Sequence, residues 1–543
     1  MSNIGDYGAT RRSFVWETPS RFNFGRDVID RWESERPALV WLGVDGSERR
    51  LTFGDLSRES NRFANAARQQ GVERGDRVLV IAGKVPEWHV ILIGLLKLGA
   101  IAIPCAEQLR AKDLRYRADH SGATTVISSP ACVGEIDDFR DEAETLEHFI
   151  LLDTAPDAES REGWASYEEI TSSASDSFAA EDTAASEGAL MLYTSGTTSN
   201  PKGVWHTHAY THAKRMEAYY WLDLQEGDRL WCTSGTGWAK SIWNVFLGPW
   251  SLGTELFVHE GGFDPAERLE LIESYGITVL CQAPTEYRLL ANSPELEKAD
   301  LSNIRHAVSA GEPLNAAVVE RFRELHGITV YDGYGQTENT LLVGNFRGME
   351  VKPGSMGRPS PGCDVRIIDE DANECPPNEP GDIALHGGGI PVMFKEYYEQ
   401  PDATEDTRRG EYYITGDRAT QDEDGYMWFM SRADDVILSA GYRIGPFEVE
   451  SALIEHPAVV ESAAVASPDP DRGSIVKAFV VLASGYSASD DLVSELQEHC
   501  KRVTAPYKYP RRVEFVEELP KTASGKIRRV ELRDREPAAE TAR

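Results

Sequence analysis

The stretch Tyr193-Thr-Ser-Gly-Thr-Thr-Ser-Asn-Pro-Lys-Gly203 decides how the rest of this chain is interpreted. It follows Ala189-Leu-Met-Leu192, a short apolar run that predicts a buried strand. Hydroxyl side chains, a glycine and a lysine after a strand are typical of a phosphate-binding loop, because Gly196 lets backbone N–H groups turn toward an anion. The stretch lacks the G-x-x-x-x-G-K-[ST] pattern, which excludes the ordinary nucleotide P-loop. A plain surface loop is the alternative.

Outward from this loop, short apolar strands alternate with amphipathic helices. Residues 77–82 predict a strand, 86–98 a helix and 101–104 a second strand. This alternation predicts an α/β fold with a largely parallel sheet. Residues 51–56 lead into a helix-like run through Gln70, and another helix is predicted for about 209–222. Further strands are predicted for 124–127, 149–152, 229–233, 255–258, 278–280, 304–309 and 328–331.

Three regions differ from this α/β pattern. Residues 153–187 are rich in Ala, Ser, Asp and Glu, which predicts a solvated loop. Residues 363–430 combine short strands with Gly and Pro turns, which predicts a small β-rich subdomain. The last part has a compact α+β pattern of domain size. We therefore expect a multidomain α/β protein with a large N-terminal domain, residues 1–433, and a small C-terminal domain, residues 434–543.

The chain is strongly acidic. It has 89 Asp and Glu against 56 Lys and Arg, a formal net charge of -33 over 543 residues. Such self-repulsion destabilises a compact chain unless counter-ions screen it, so we expect a halophilic protein adapted to a high-salt interior. The same charge argues against partners that are nucleic acids or anionic membranes.

Cellular location is predicted from features that the sequence lacks. No 18-residue window is uniformly apolar, which predicts no integral membrane contact, and the first residues show no secretory signal. The seven cysteines are scattered without C-x-x-C or zinc spacing. These features predict a cytoplasmic protein without a structural metal.

Seven motifs occur in a fixed order along nearly the whole chain. With these motifs the chain resembles the adenylate-forming acyl-CoA synthetases, in particular the medium-chain acyl-CoA synthetase group. Each motif is weak alone, but their joint order and spacing are specific. The motifs are Tyr193–Gly203, Gly311-Glu-Pro313, Tyr334-Gly-Gln-Thr-Glu338, Tyr413-Ile-Thr-Gly-Asp417, Arg432-Ala-Asp-Asp435, Ser439-Ala-Gly-Tyr-Arg443 and Pro520-Lys-Thr-Ala-Ser-Gly-Lys526.

The resemblance implies a reaction in two steps. A carboxylate attacks the α-phosphate of ATP to give acyl-AMP and pyrophosphate, and the thiol of coenzyme A then attacks the acyl-AMP. The implied partners are therefore a small-molecule carboxylic acid, ATP, Mg²⁺ and coenzyme A. A homo-oligomer is also possible.

The resemblance also implies the nucleotide-binding residues, and their chemistry suits that role. The aromatic face of Tyr334 suits adenine, the carboxylate of Asp417 can accept from both ribose hydroxyls, and Glu338 suits Mg²⁺. The implied ATP- or AMP-binding residues are Thr194, Ser195, Gly196, Thr197, Thr198, Lys202, Gly311, Glu312, Pro313, Asp332, Gly333, Tyr334, Gly335, Gln336, Thr337, Asp417, Arg432, Arg443 and Lys526.

The implied catalytic residues are Lys526, Thr194 and Glu338. A lysine on a mobile domain cancels the negative charge that develops at the α-phosphate only when that domain is closed. Asp434 occupies the hinge position of the family.

A coenzyme A site is expected on the C-terminal domain. Independently of the resemblance, residues 501–512 hold five basic residues and no acid, which indicates an anionic ligand in so acidic a chain. Internal ion pairing is the alternative interpretation. The implied coenzyme A residues are Ala440, Gly441, Tyr442, Arg472 and Lys508.

The acyl pocket is expected to be deeper than acetate requires, because Gly335 stands where acetyl-specific relatives have a tryptophan. Trp238 and Trp243 are expected to wall the pocket, with Lys240 between them. We favour a structural pairing of Lys240 with a carboxylate, over a side chain that reaches solvent or selects a polar, branched or aryl acid. The substrate class is a medium-length, branched or aromatic monocarboxylic acid.

Two other functions remain open at this stage. One is an adenylation protein that loads a carrier-protein thiol, and the other is a non-catalytic nucleotide-binding relative. The sequence departs from the family at Ser199, Ser431 and Asn339, but none of these changes removes a chemical group. Both Lys526 and Glu338 are present, which favours a ligase.

Overall fold

The computed structural model describes residues 2–153, 161–194, 200–433, 435–439, 442–469, 472–521 and 527–536, with Arg443 and Gly473 described by backbone alone. Strands and helices alternate through the first two thirds of the chain, as the apolar pattern predicts. Among the described residues, no helix combines the length and the apolar character needed to cross a bilayer.

The described strands are numbered in chain order. They are β1 (Pro37–Leu42), β2 (Glu48–Thr52), β3 (Arg77–Ile81), β4 (Ile101–Cys105), β5 (Thr125–Ser128), β6 (His148–Leu151), β7 (Ala165–Ser166), β8 (Gly188–Tyr193), β9 (Gly203–Thr207), β10 (Arg229–Cys232), β11 (Glu255–His259), β12 (Val279–Gln282), β13 (His306–Ala310), β14 (Val330–Gly335), β15 (Leu341–Gly344), β16 (Arg358–Pro359), β17 (Val365–Ile368), β18 (Gly381–His386), β19 (Glu396–Tyr397), β20 (Arg408–Arg409), β21 (Tyr412–Gln421), β22 (Met427–Arg432), β23 (Ile437–Ser439), β24 (Tyr442–Ile444), β25 (Val459–Asp469), β26 (Gly473–Leu482) and β27 (Arg512–Phe515).

The described helices are numbered in the same way. They are α1 (Tyr7–Ser13), α2 (Phe24–Asp27), α3 (Phe53–Gln69), α4 (Pro86–Leu98), α5 (Ala111–Ser121), α6 (Val133–Asp137), α7 (Tyr167–Ser172), α8 (His208–Ala213), α9 (Arg215–Tyr220), α10 (Ala239–Ser241), α11 (Gly248–Ser251), α12 (Pro265–Ser274), α13 (Pro284–Ala291), α14 (Ala316–His326), α15 (Pro401–Glu405), α16 (Pro446–Ile454), α17 (Asp490–Val503) and α18 (Arg529–Asp534). Between α10 and α11, Ile242–Leu247 form a π-helical segment.

Two large sheets form the N-terminal part. One has the order β16-β15-β14-β13-β12-β10-β11-β1-β2 and the other the order β19-β9-β8-β4-β3-β5-β6-β7. The strands from β14 to β1 run parallel, and β15, β16 and β2 join antiparallel at the edges. The carboxyl ends of β12, β13 and β14 therefore meet at one edge, which is where ligands bind in open α/β sheets.

Helix α4 explains how the two sheets share a core. It begins with Pro86 in its first turn and ends at Gly99, whose left-handed conformation (φ 71°) caps the helix. All thirteen of its residues are buried. One continuous cluster of buried side chains joins α4 to strands of both sheets, for example Leu39 of β1 and Val78 of β3. A helix that is buried on all sides belongs in such an interior layer.

The remaining sheets are smaller. Strands β17, β18, β21, β20 and β22 form the β-rich subdomain predicted for 363–430. Strands β25, β26 and β27 form the sheet of the C-terminal part, and α16 and α17 pack on it around a separate apolar cluster that includes Val449, Val476 and Leu496. The fold class predicted from the sequence is confirmed: packed α/β sheets, a β-rich subdomain and a small α+β part. The boundary at residue 434 stays a prediction, because that residue lies outside the described residues.

Two local predictions differ from the structure. The helix predicted over 209–222 is two helices, α8 and α9, which meet at Lys214. The solvated loop predicted over 153–187 contains β7 and α7, and Tyr167 of α7 is buried against Phe63 of α3. Few large apolar residues were enough to anchor this segment, because Tyr167 and Trp164 each fill a site in the core.

Candidate active site

The phosphate loop is closed at its base by two residues. At the end of β8, the backbone N–H of Thr194 donates to the carbonyl of Lys202 at 3.1 Å. In return, the Thr194 hydroxyl accepts from the Lys202 N–H at 3.3 Å. The predicted residues Ser195, Gly196, Thr197 and Thr198 lie outside the described residues. The two bonds between Thr194 and Lys202 nevertheless bring the ends of the loop together.

Tyr397 connects this loop to Glu338. The hydroxyl of Tyr397 donates to Glu338 Oε1 at 2.7 Å, and the Lys202 ammonium lies 4.5 Å from the centre of the Tyr397 ring. Burial raises the pKa of Tyr397, and the Glu338 carboxylate raises it further, so the hydroxyl keeps its proton. The sequence prediction missed Tyr397, because a lone tyrosine 59 residues from Glu338 carries no spacing signal.

The aromatic and ribose residues converge on one carboxylate. Oδ2 of Asp417 accepts from the Tyr334 hydroxyl at 2.6 Å and from Gln336 Nε2 at 2.7 Å. The Gln336 side chain also donates to the Thr415 carbonyl and accepts from the Tyr413 hydroxyl, and these bonds fix its position. Asp417 on β21 also pairs in register with Arg432 on β22. The structure thus brings together Tyr334, Gln336, Asp417 and Arg432, as the motifs predict.

Asp332 joins the same strand to the Gly311-Glu-Pro segment. Its Oδ2 accepts from the backbone N–H of Leu314 at 3.3 Å. Burial raises its pKa to about 8, and Oδ1 is buried without a partner among the described residues. Beside it, the Glu312 carboxylate accepts from Thr285 at 2.9 Å. These contacts of Glu312 and Leu314 hold the segment that follows Gly311 in place. Gly311 itself has a positive φ of 113°.

Gly335 is required by backbone packing. A Cβ atom there would lie 2.1 Å from the carbonyl oxygen of Thr340. The turn from Gln336 to Thr340 folds back onto this strand, and Gln336 N–H donates to the Asn339 side chain at 2.9 Å. The depth of the acyl pocket that we inferred from Gly335 stays a prediction, since this contact alone accounts for the glycine.

Lys240 is held by two backbone carbonyls. Its ammonium donates to Gln282 O at 2.9 Å and to Ala310 O at 3.0 Å, at the carboxyl ends of β12 and β13. This is a structural pairing, although the partners are carbonyl groups and not a carboxylate. Trp243 is buried in the π-helical segment that follows, whereas Trp238 is half-buried.

Two lysines of the basic segment in the C-terminal part are paired internally. Lys508 forms an ion pair with Glu448, and Lys501 pairs with Glu498 at 2.6 Å. Tyr442 is half exposed, and its ring stacks on Tyr507 with centroids 4.4 Å apart. The internal pairing that we weighed as an alternative therefore occurs for both lysines.

Arg472 differs from these lysines. Its backbone N–H donates to Asp469 at 3.0 Å, while its Nε is buried without a partner among the described residues. Asp434, Ala440, Gly441 and Lys526 lie outside the described residues, as does the side chain of Arg443.

The segment that carries Lys526 is tied at both ends. Lys521 pairs with Ile527 across an antiparallel bridge, and Arg528 N–H donates to the Pro520 carbonyl at 2.8 Å. Arg529 then forms a two-point pair with Glu450 of α16, at 3.0 and 2.6 Å. These contacts all lie within the C-terminal part.

Comparisons with known proteins agree with this arrangement. A family model described as AMP-binding enzyme matches residues 26–398, and one for the AMP-binding enzyme C-terminal domain matches residues 448–526. Acyl-coenzyme A synthetase ACSM3, mitochondrial, of Mus musculus is 44% identical over 551 residues, which cover 98% of this chain and 94% of that protein.

A bacterial relative and a solved structure give the same result. The uncharacterized acyl–CoA ligase YtcI of Bacillus subtilis (strain 168) is 48% identical over 504 residues, with 92% of this chain and 93% of that protein covered. The crystal structure of the anthranilate CoA ligase AuaEII in complex with anthranoyl-AMP has a TM-score of 0.88 at 31% identity, covering 95% of this chain and 97% of that chain. The resemblance predicted from the motifs is confirmed, and the chain belongs to the AMP-binding enzyme family as an ATP-dependent acid–CoA ligase that works through an acyl-AMP intermediate.

Proposed function

We propose that this ligase activates a medium-length, branched or aryl monocarboxylic acid, with Mg²⁺ bound to ATP during the first step. The observation that carries the proposal is the convergence of Tyr334 and Gln336 on the buried carboxylate of Asp417, next to the Lys202–Tyr397–Glu338 chain. The first group suits a nucleoside, and the second suits its phosphates. Both groups include a residue of the Gln336–Thr340 turn: Gln336 belongs to the first and Glu338 to the second.

In the first step, the protein binds ATP and orients the acid. Asp417 accepts from the ribose hydroxyls, while the ring of Tyr334 lies against adenine. Lys202 and Thr194 hold phosphate oxygens at the base of the loop. Lys526 neutralises the charge that develops as a carboxylate oxygen bonds to the α-phosphorus and the bond to pyrophosphate breaks.

The donor set around Glu338 fits magnesium. The described residues contain no group of three His, Cys, Asp or Glu side chains able to hold a metal ion. A single carboxylate suits an ion that takes most of its ligands from phosphate oxygens and water, as Mg²⁺ does. When bound, the ion supplies charge neutralisation for the phosphates.

In the second step, we propose that the C-terminal domain turns about Asp434 and brings coenzyme A to the acyl-AMP. Ala440, Gly441 and Tyr442 would line the path of its thiol arm, and Arg472 and Lys508 would contact its nucleotide end. The Nε of Arg472, which is buried and has no partner among the residues that the structure describes, supports a phosphate contact there. For Lys508 the ligand has to displace Glu448.

Two features support the acid class. The relative AuaEII is named as an anthranilate CoA ligase, so its scaffold accepts an aryl acid. In this chain, Trp243 offers an aromatic wall, and backbone carbonyls accept two hydrogen bonds from Lys240, so these two donors do not require a second acidic group on the substrate.

The surroundings of the enzyme are also proposed. The seven cysteines are free thiols, which supports a reducing compartment such as the cytoplasm, although ACSM3 carries the word mitochondrial in its name. The net charge of -33 supports a salt-adapted protein. A melting temperature that rises between dilute buffer and molar KCl would agree with this, and a constant or falling one would contradict it.

The function is tested with a panel of straight acids of two to ten carbons, branched acids and aryl acids. We expect pyrophosphate release, AMP formation and consumption of coenzyme A with at least one medium, branched or aryl acid, and little with acetate. Acyl-AMP formation without use of coenzyme A would identify a carrier-protein adenylation enzyme. Nucleotide binding without pyrophosphate release would identify a non-catalytic relative, and acetate as the best substrate would contradict the acid class.

A further inference from the structure

A stripe of buried polar side chains runs beneath the Gln336–Thr340 turn. It begins at the end of β9 and continues along α8 and α9, where the two helices meet at Lys214. An interior position is costly for polar groups unless each has a partner. The stripe consists of His206, Tyr210, Lys214 and Glu217, all of them buried.

Each member of the stripe contacts the underside of the turn. The Tyr210 hydroxyl donates to Asn339 O at 3.1 Å, and Lys214 Nζ donates to the same oxygen at 3.3 Å. Glu217 accepts from the Thr340 hydroxyl at 2.9 Å. Further along, His206 Nε2 donates to Thr337 O at 2.8 Å. Burial lowers the pKa of His206 to about 3, so this ring is a neutral donor.

Lys214 also touches the acyl side of the site. Its side chain has no exposed surface, and its ammonium lies 3.6 Å from Glu217 Oε2. The same ammonium lies 4.0 Å from the ring centre of Trp243, which we assign to the wall of the acyl pocket. One lysine, whose pKa burial lowers to about 7, therefore contacts both the nucleotide turn and the aromatic wall.

Stability alone does not account for a charged pair at this place. Replacing a buried ion pair by apolar residues of similar volume is often neutral or stabilising. Apolar side chains would fill the same space, but they would leave Asn339 O and Thr340 without these two partners. The pair instead fixes the position and orientation of the Gln336–Thr340 turn, through its contacts with Asn339 and Thr340.

We propose that Lys214 and Glu217 are positioning residues for acyl-AMP formation, holding the turn that presents Gln336 and Glu338 and backing Trp243 at the same time. The inference rests on the proposed function. It means that the nucleotide and acid sites share one support, so disturbing the pair weakens both ligands together. Coenzyme A, which approaches from the C-terminal part, does not depend on this support.

The test uses the double variant Lys214→Met/Glu217→Met, which removes both charges together and leaves no unpaired ion. We expect a melting temperature within a few degrees of that of the parent protein. The KM values for ATP and for the acid should each rise about five- to tenfold, while the KM for coenzyme A stays within twofold. Thr340→Val, which removes one bond and keeps the side-chain shape, should shift the same two constants by a smaller factor.

The matched control is Lys97→Met, a second fully buried lysine, paired with Asp30 at 2.7 Å and remote from the turn. It should lower the melting temperature and leave all three KM values within twofold. The affinity for AMP, measured by calorimetry, provides a readout that needs no turnover and should fall about tenfold in the double variant.

Three results would overturn the inference. They are parental KM values and AMP affinity in a folded double variant, a rise in only one of the two KM values, and an equal rise for coenzyme A. If the double variant does not fold, Thr340→Val tests the inference in its place. Unchanged KM values for ATP and for the acid in that variant would also refute a shared support. Failure of the proposed function looks different, because the parent enzyme would then release no pyrophosphate with any acid.

Discussion

The Gln336–Thr340 turn and the segment around Lys526 serve the same reaction, but the structure supports them in different ways. The turn is bonded from below by β9, α8 and α9 and from the side by Asp417 of β21. The ends of the lysine segment are bonded to each other and to α16. One element is fixed inside the large domain, and the other is fixed inside the small one.

Few direct bonds cross from the large N-terminal part to the small C-terminal part within the portion of the chain that the structure describes. Asn315 Nδ2 donates to Ser451 Oγ of α16 at 3.1 Å, and the rings of Phe429 and Phe447 lie 6.1 Å apart. A unit that is rigid within itself and lightly attached can turn without being rebuilt. The contrast suggests that nucleotide binding is preorganised, whereas the catalytic cation is delivered by domain movement.

The largest effect should come from the delivered group. Lys526→Ala should slow acyl-AMP formation by about 10²–10³-fold, because charge at the α-phosphate then lacks its cation. Thioester formation from supplied acyl-AMP should stay within a fewfold, since that step uses the other domain position. Pyrophosphate exchange and single-turnover thioester assays measure the two steps separately. An equal loss in both would mean that Lys526 does not act at the first step alone.

The motif residues of the nucleotide site were predictable because each belongs to a short local motif. Tyr334 and Gln336 belong to the Tyr334–Glu338 motif at the end of β14, and Asp417 closes the Tyr413–Asp417 motif on β21. Their partners below the turn were not predictable. Lys214 and Glu217 reach Asn339 and Thr340 across more than a hundred residues of sequence, and no local pattern encodes such a contact.

The same limit explains two other differences. Tyr397 has no motif of its own and is recognised only from its contact with Glu338. The predicted helix over 209–222 shows an unbroken pattern, but the structure divides it at Lys214, where α8 ends and α9 begins. Sequence patterns thus located the binding residues, whereas the buried polar side chains that hold them in place became visible only in the three-dimensional structure.

An intermediate effect is expected at the fixed half of the site. Asp417→Asn keeps the shape but loses the charge that accepts from Tyr334 and Gln336 and, in the proposed complex, from ribose. Hydrogen bonds to a charged group are worth about 1.5–3 kcal/mol, so the KM for ATP should rise about 10- to 100-fold. The KM for coenzyme A should not change. Steady-state kinetics with Tyr334→Phe as the milder companion would measure this, and an unchanged KM for ATP would remove Asp417 from the ribose site.

The last effect concerns stability and not reaction rate, and it comes from Asp332, beneath the preorganised half. Burial raises its pKa to about 8, against about 3.9 in an unfolded chain. Between pH 4 and 8 the folded protein therefore holds a proton that the unfolded chain has released. The free energy of unfolding should fall as pH rises through this window, by up to about 1.4 kcal/mol per pH unit from this residue.

Asp332→Asn removes that dependence, because the amide stays neutral at every pH. The stability of the variant relative to the parent should therefore increase from pH 5 to pH 7.5 and level off above pH 8. Urea unfolding at several pH values measures the difference, and other titrating groups cancel because they are common to both proteins. Parallel curves would show that Asp332 is ionised in the folded state. In that case its charge, and not a neutral carboxyl, would lie beneath the nucleotide site.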